Sequence, residues 1–183
     1  MIQGRPVILS GPSGVGKDTV IAAWQARNPR VRRVVACTTR SPRPGEVDGV
    51  DYRFLSDEEF RAQAEAGEFL EHMIVHGRGY ATPWQGLQAI VDDGGIALLK
   101  IDVQGAEAVR RQMPNIVSIF LLPPTREELE RRIRERGTED EAALALRLKN
   151  AEEELAQAAR YDHQVVNSDV EETVDRLEEI VRG

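Results

Sequence analysis

With a single cysteine, Cys37, in 183 residues, the chain cannot close an intramolecular disulfide or build a cysteine-cluster zinc site, which suits a reducing compartment. Histidine is scarce too. Of His72, His76 and His163, only the first pair has a ligand-like spacing, and it falls in a segment that reads as strand rather than helix, so no metal site is expected there. Basic residues are outnumbered, 24 Lys and Arg against 31 Asp and Glu, for a net charge of −7. That balance argues against a general nucleic-acid binder, whose affinity for the phosphate backbone needs a basic excess on one face. No apolar run approaches membrane-spanning length, and MIQGRPVIL at the start has no leader-like pattern, so a soluble, unexported, cytoplasmic protein is expected, with no membrane partner. Internal repeats and low-complexity stretches are absent as well. What remains, 41% hydrophobic residues over 183 positions, is enough for one domain of ordinary size with a real core and small mobile inserts.

What is present begins with PVILS, an apolar strand-like run, followed at once by GPSGVGKDT. Spaced G-x-x-x-x-G-K, the residues Gly11, Pro12, Ser13, Gly14, Val15, Gly16 and Lys17 can turn backbone N–H groups inward around phosphate oxygens, with a helix N-terminus behind them. Lys17 would sit among the phosphates. Asp18 stands where the general motif has a Ser or Thr whose hydroxyl reaches Mg²⁺, so Thr19 is expected on phosphate and the metal is expected to be held mainly by the nucleotide, with no protein metal ligands. The loop implies a nucleotide without defining a reaction.

Strand-like runs recur at Val7–Leu9, Val34–Cys37, Ile96–Ile101, Ile116–Leu122 and Gln164–Val166, separated mostly by helix-like stretches. That alternation predicts an α/β fold with a parallel sheet. Capping boxes are expected at Ser56 with Glu59 and at Thr125 with Glu128, and a long alanine-rich helix over Glu139–Arg160. The stretch Thr38–Thr82, rich in Arg, Pro and Gly, breaks the rhythm and reads as an insert. RRIRERGTEDE, Arg131–Glu141, reads as a mobile flap rather than a packed element.

Within the insert, Arg40 and Arg43 sit beside a Pro-Gly turn ahead of Tyr52, and two guanidinium forks and a phenol can converge on one dianionic phosphate. Glu71, Tyr80 and Thr82 follow and could supply an acceptor, a phosphate contact and a hydroxyl in one small pocket. Alone, such residues also suit a solvated basic loop.

TTRSPRPGEVDGVDY, GEFLEHMIVHG with YATP, IDVQGA, RERGTED and the late VVNSD together resemble the guanylate kinase family, in order and over nearly the whole chain. The resemblance implies the P-loop NTPase three-layer fold, with a parallel core sheet (residues 1–37, 83–125 and 148–183), a small GMP-binding insert (38–82) and a mobile lid (126–147). It implies ATP as phosphoryl donor with Mg²⁺, GMP as acceptor, and a monomer or homodimer. By the same resemblance Arg40, Arg43, Tyr52 and Tyr80 meet the GMP phosphate. Glu71 and Thr82 meet guanine with Asp102 nearby, although an Asp at the end of IALLKID also sits where such enzymes hold Mg²⁺ or its water. Lys17, Arg40, Arg132, Arg136 and Arg147 would be catalytic, and Asn167 would lie near the ATP base. Arg131 and Arg134 are expected to stay solvated, and Trp24 and Trp84 to pack.

The chain departs from the family at Ala36, often a serine, where a lost hydroxyl is worth about 1 kcal/mol, and at Lys100, often acidic. As a strand neighbour two residues from Asp102, Lys100 is expected on the same face. These departures keep open a kinase for another nucleotide or a phosphorylated sugar. A guanylate-kinase-like module that binds a phosphorylated protein partner without catalysis is the other alternative.

Overall fold

The computed structural model describes residues 4–75, 77–136 and 141–182, with the Arg136 side chain outside that description. In chain order the elements are β1 (Arg5–Ser10), α1 (Lys17–Arg27), β2 (Val31–Arg33), β3 (Cys37–Thr38), β4 (Arg53–Phe54), α2 (Asp57–Glu65), β5 (Phe69–Val75), β6 (Arg78–Pro83), α3 (Trp84–Asp92), β7 (Ile96–Lys100), α4 (Val103–Gln112), β8 (Val117–Leu122), α5 (Arg126–Arg136), α6 (Glu141–Leu155), a 3-10 turn at Ala158–Arg160, β9 (His163–Val166) and α7 (Val170–Arg182). The chain divides into two compact units, one of Met1–Val7, Arg30–Lys100 and Gln104–Ile116, the other of Ile8–Pro29, Ile101–Val103 and Val117–Gly183. β1 runs through both. A five-stranded sheet has the order β2-β7-β1-β8-β9, with β2 parallel to β7 and β8 parallel to β9. The apolar runs of β1, β7 and β8 are almost wholly buried, as strands covered on both faces should be.

In unit one a four-stranded sheet, β4-β3-β6-β5, has its own small core of Cys37, Phe60, Phe69 and Ala81. Phe60 reaches that core because Ser56 caps α2: its hydroxyl accepts the Glu59 N–H at 3.1 Å while the Glu59 carboxylate accepts the Ser56 N–H at 2.8 Å, so the predicted capping box is present. The expected strand Val34–Cys37 is corrected. Val34 still donates to Leu98 O of β7 at 2.9 Å, but Cys37 pairs with Arg53 and Ala81 in the other sheet. One apolar run thus serves two sheets, and the chain changes sheet across residues 34–36.

In unit two, α1 lies against α7. Trp24 is fully buried and donates its indole N–H to Glu178 at 2.6 Å. α5 and α6 share a cluster of Leu129, Ile133 and Ala151. The flap expected over Arg131–Glu141 is therefore corrected for its described part: residues 131–136 are helical, and Ile133 is buried. Leu129 and Ile133, four apart, make one apolar face on a helix otherwise dense in charge. Residues 137–140 of that expectation lie outside the described residues, as do Glu139 and Asp140 of the long helix. The described remainder of that helix is α6 followed by the 3-10 turn. Thr125 accepts the Glu128 N–H at 3.1 Å, but the Glu128 carboxylate turns to Arg131 and Arg132.

Candidate active site

The loop from Gly11 to Gly16 joins β1 to α1 in unit two. Gly14 and Gly16 have φ of +85° and +98°, and a Cβ would meet Ile133 Cγ1 at 2.9 Å or Asn167 Nδ2 at 2.8 Å, so both backbone angle and space require glycine. α1 starts at Lys17 with no side-chain cap, and the positive end of a helix dipole favours an anion there. The Lys17 ammonium donates to the carbonyls of Gly11 and, at 3.1 Å, of Pro12. Ser13 donates its N–H to Glu154 Oε2 at 3.3 Å. Burial pushes the Glu154 carboxyl up, against the pull of Lys17 and the Ser13 N–H and with a further push from Asp102. Glu154 thus joins Lys17 and Asp102 in one electrostatic neighbourhood, 141 residues away from Ser13 in sequence, which left no local pattern to reveal it. Asp18 and Thr19 are exposed.

The Val15 carbonyl is a second focus. Asn167, only 4% exposed, donates Nδ2 to it at 2.8 Å, and Arg132 Nη1 donates at 3.2 Å. Asn167 Oδ1 lies 3.1 Å from the Thr173 hydroxyl, which also reaches the Asp169 carbonyl at 2.6 Å. Beside them opens a cavity of about 280 Å³ whose walls include Gly16, Thr19, Arg132 and Asn167. Arg132 also binds Glu128 at 2.8 Å, which Arg131 shares. These two arginines, Arg131 first, hold the Glu128 carboxyl down to about 2. Arg131 and Arg134 make surface pairs with Glu128 and Glu130. Arg147 is half-buried on α6, and Arg136 ends α5.

In unit one, Arg40 forms a two-pronged pair with Glu46, both bonds at 2.8 Å. The two side chains are 15% and 19% exposed. Glu46 also accepts the Arg43 N–H at 2.7 Å. The hydrogen bonds from Arg40 and then Arg43 draw the Glu46 carboxyl down to about 2, and Glu46, followed by Tyr80, raises Arg40 above its ordinary value. Arg40 faces the Tyr52 ring at 5.4 Å and the Phe54 ring at 5.8 Å, and Tyr52 meets Tyr80 edge-on at 6.4 Å. Burial pushes the Tyr52 phenol up, while Arg33 and Arg40 pull it down. Arg40, Tyr52 and Tyr80 therefore converge, whereas Arg43 contributes its backbone and is exposed. Glu46 escaped the sequence reading, although its place just after the Pro-Gly turn was a usable signal: the turn folds the chain back so that a carboxylate can meet the arginine before it.

Glu71 on β5 and Thr82 on β6 are register partners, 7% and 2% exposed, and Thr82 Oγ1 donates to Glu71 Oε1 at 2.7 Å. A hydroxyl has one proton, so in this arrangement Thr82 orients the carboxylate and offers lone pairs outward. Asp102 is exposed between β7 and α4. Because β7 ends at Lys100, the alternation that was expected to align Lys100 with Asp102 does not extend to Asp102. His72 is exposed on strand β5, and His76 lies outside the described residues. No group of three or more His, Cys, Asp or Glu able to hold a metal occurs among the described residues.

The guanylate kinase family model matches residues 3–183. A guanylate kinase of Frankia casuarinae is 47% identical over 183 residues, all of both chains. One from Synechococcus elongatus is 46% identical over 178 residues, 97% of each. The crystal structure of guanylate kinase from Anaplasma phagocytophilum has a TM-score of 0.78 and 37% identity, covering 100% of this chain and 86% of the other.

Proposed function

The chain belongs to the guanylate kinase family, and we propose that it transfers the γ-phosphoryl group of ATP to an α-phosphate oxygen of GMP, giving ADP and GDP. The observation that carries this reading is that one chain holds both a phosphate loop around Lys17, in unit two, and a separate anion-binding cluster of Arg40, Tyr52 and Tyr80, in unit one. Phosphoryl transfer between two nucleotides needs two such anion sites. A phosphate monoester has a second pKa of about 6, so the attacking oxygen is already anionic at neutral pH and no general base is required. The barrier is repulsion between two polyanions. Lys17 and Arg40, with Arg132, Arg136 and Arg147, offset that charge and align the reactants.

In this assignment residues 11–19 hold the donor phosphates, and the cavity beside Asn167 takes the ATP base. Arg43 joins Arg40 and the two tyrosines on the acceptor phosphate. Guanine offers adjacent N1–H and N2–H₂ donors to Glu71, which Thr82 holds in place, and Asp102 serves either guanine or the metal's water. Adenine has no such donor pair and would leave a buried carboxylate unpaired, a strong ground for rejection. Mg²⁺, when bound, would neutralise donor charge. The donor set fits a metal held mainly by nucleotide phosphates, since Asp18 and Thr19 offer oxygens at the loop but no closed protein cage. Residues 38–82 act as the GMP-binding insert, and residues 126–147 as the lid that excludes water. No described helix is long and apolar enough to cross a membrane, and a cytoplasmic monomer or homodimer acting on GMP and dGMP completes the reading.

ADP release measured over GMP, dGMP, AMP, CMP and UMP tests it directly. GMP and dGMP should support turnover, and the others far less. Preference for another nucleotide, or no acceptor-dependent ADP at all, would overturn the assignment.

A further inference from the structure

Tyr52 faces two guanidinium groups, and the reading above uses one of them. Arg33, at the end of β2, places its Cζ 5.8 Å from the centre of the Tyr52 ring, close to the 5.4 Å of Arg40. Its Nη2 also donates to the Asp51 carbonyl at 2.6 Å. One side chain thus holds both the peptide leading into Tyr52 and the ring itself.

The segment it grips leads into β4, where the Arg53 N–H donates to the Ala36 carbonyl at 2.9 Å, but the turn before Tyr52 is itself exposed. Val47 and Val50 are 56% and 64% exposed, and Gly49 has a φ of +77°. The turn's described hydrogen bonds are largely local: Gly49 N–H to Tyr52 O, Asp51 N–H to Val47 O, and Val47 N–H to the Asp51 carboxylate. Arg33 adds a tie to β2, which is itself fixed by its parallel register with β7. The neighbouring Arg32 goes elsewhere, to the Ile90 carbonyl and Asp93, because successive strand residues point to opposite faces. Equal charge next door therefore does not substitute for Arg33. A guanidinium suits the double task, since its N–H edge can bond a carbonyl while its cation sits over an aromatic ring.

We propose that Arg33 is a positioning residue for the acceptor nucleotide, pinning the Asp51–Tyr52 peptide and the Tyr52 ring so that the phenol stands beside the Arg40 fork before the phosphate monoester dianion arrives. The inference rests on the acceptor-site reading above. Its energetic logic is preorganisation: ordering done in the unliganded protein is not charged against binding. The effect should fall on the phosphate of the ligand and spare the base.

The test is GMP affinity by calorimetry without ATP, guanosine affinity by competition, and steady-state kinetics, for wild type and for Arg33→Ala, Arg33→Lys and, as control, Arg32→Ala. For Arg33→Ala the GMP dissociation constant should rise about 5- to 20-fold, the range expected for losing one ring-facing cation and its hydrogen bond. Guanosine affinity should stay within about twofold, KM for GMP should rise far more than kcat falls, and Arg33→Lys should recover part of the loss. Arg32→Ala should bind GMP like wild type. GMP affinity within twofold of wild type in Arg33→Ala, or guanosine weakened in the same proportion, overturns the proposal. If circular dichroism shows Arg33→Ala unfolded, Arg33→Lys and Arg33→Met carry the same comparison. Wild-type protein that fails to phosphorylate GMP would sink the functional reading instead, whereas intact wild-type turnover with an unaffected Arg33→Ala sinks the role of Arg33 alone.

Discussion

Asn167 and Val15 are joined across 152 residues of sequence by a buried 2.8 Å hydrogen bond from the amide nitrogen to the carbonyl. The bond ties the phosphate loop to the end of β9. Asn167→Ala should leave the Val15 carbonyl to Arg132 alone among these two donors and cost about 1–3 kcal/mol of stability. With the loop as the proposed donor site, KM for ATP should rise several-fold with KM for GMP nearly unchanged. Parallel urea titrations and two-substrate kinetics would check this. Equal rises in both KM values would contradict it.

The Arg40–Glu46 pair gives a pH prediction with a definite sign. The Glu46 carboxyl lies at about 2 in the folded protein against an ordinary 4.5. A depressed folded value means that the pair's contribution is complete above about pH 4.5 and fades as pH falls through about 2. Carbon-13 NMR of the Glu46 carboxyl should therefore show no titration between pH 5 and about pH 3, and Arg40→Ala should return the midpoint toward 4.5. Glu46→Ala should also weaken GMP, since Arg40 loses the partner that orients its fork.

Glu178 is the buried charge beneath α1. It accepts from Trp24 at 2.6 Å, from Asn28 at 2.7 Å and from Arg182 at 3.3 Å. Burial pushes its carboxyl up, but hydrogen bonds from Asn28, Trp24 and Arg182 outweigh that and hold it below the ordinary value. Its stabilising effect is thus present above the ordinary carboxylate pKa and is lost as pH falls through the depressed one. Glu178→Ala strands the indole N–H and should cost about 2–4 kcal/mol in urea unfolding. Arg176→Ala, which removes an exposed pair with Glu179, should cost about 0.5 kcal/mol or less.

Local chemistry was readable from the sequence where it depends on near neighbours. The loop glycines, the Ser56–Glu59 box and the apolar runs of β1, β7 and β8 all follow from spacing alone. Contacts between distant residues were not readable: Glu154 at Ser13 and Asn167 at Val15 lie 141 and 152 positions apart. The sheet change at residues 34–36 was hidden because an apolar run states burial and not which sheet provides it. Charge density concealed the packing of Leu129 and Ile133, since two apolar residues one helical turn apart suffice for an interface among arginines. The resemblance implied a role for Arg40, and the fold adds its two-pronged pair with Glu46.

In the proposed reading, base choice rests on Glu71 and Thr82, and the single proton of Thr82 bears on how it is made. Since that proton goes to Glu71 Oε1 in this structure, the hydroxyl steers the carboxylate. Thr82→Val keeps the shape, removes the orienting bond and should weaken GMP binding by roughly 1 kcal/mol, about fivefold. Glu71→Gln is the harsher change. An amide presents one acceptor and one donor to guanine's two donors, so one guanine N–H faces an N–H, and GMP should lose about 100-fold or more in kcat/KM. AMP, which has no donor pair to satisfy, should lose little or gain, so the GMP-to-AMP ratio of kcat/KM should fall further than that for any phosphate-site variant. If Glu71→Gln lowers both nucleotides equally, the carboxylate acts on something common to them, and its assignment to the guanine edge is wrong.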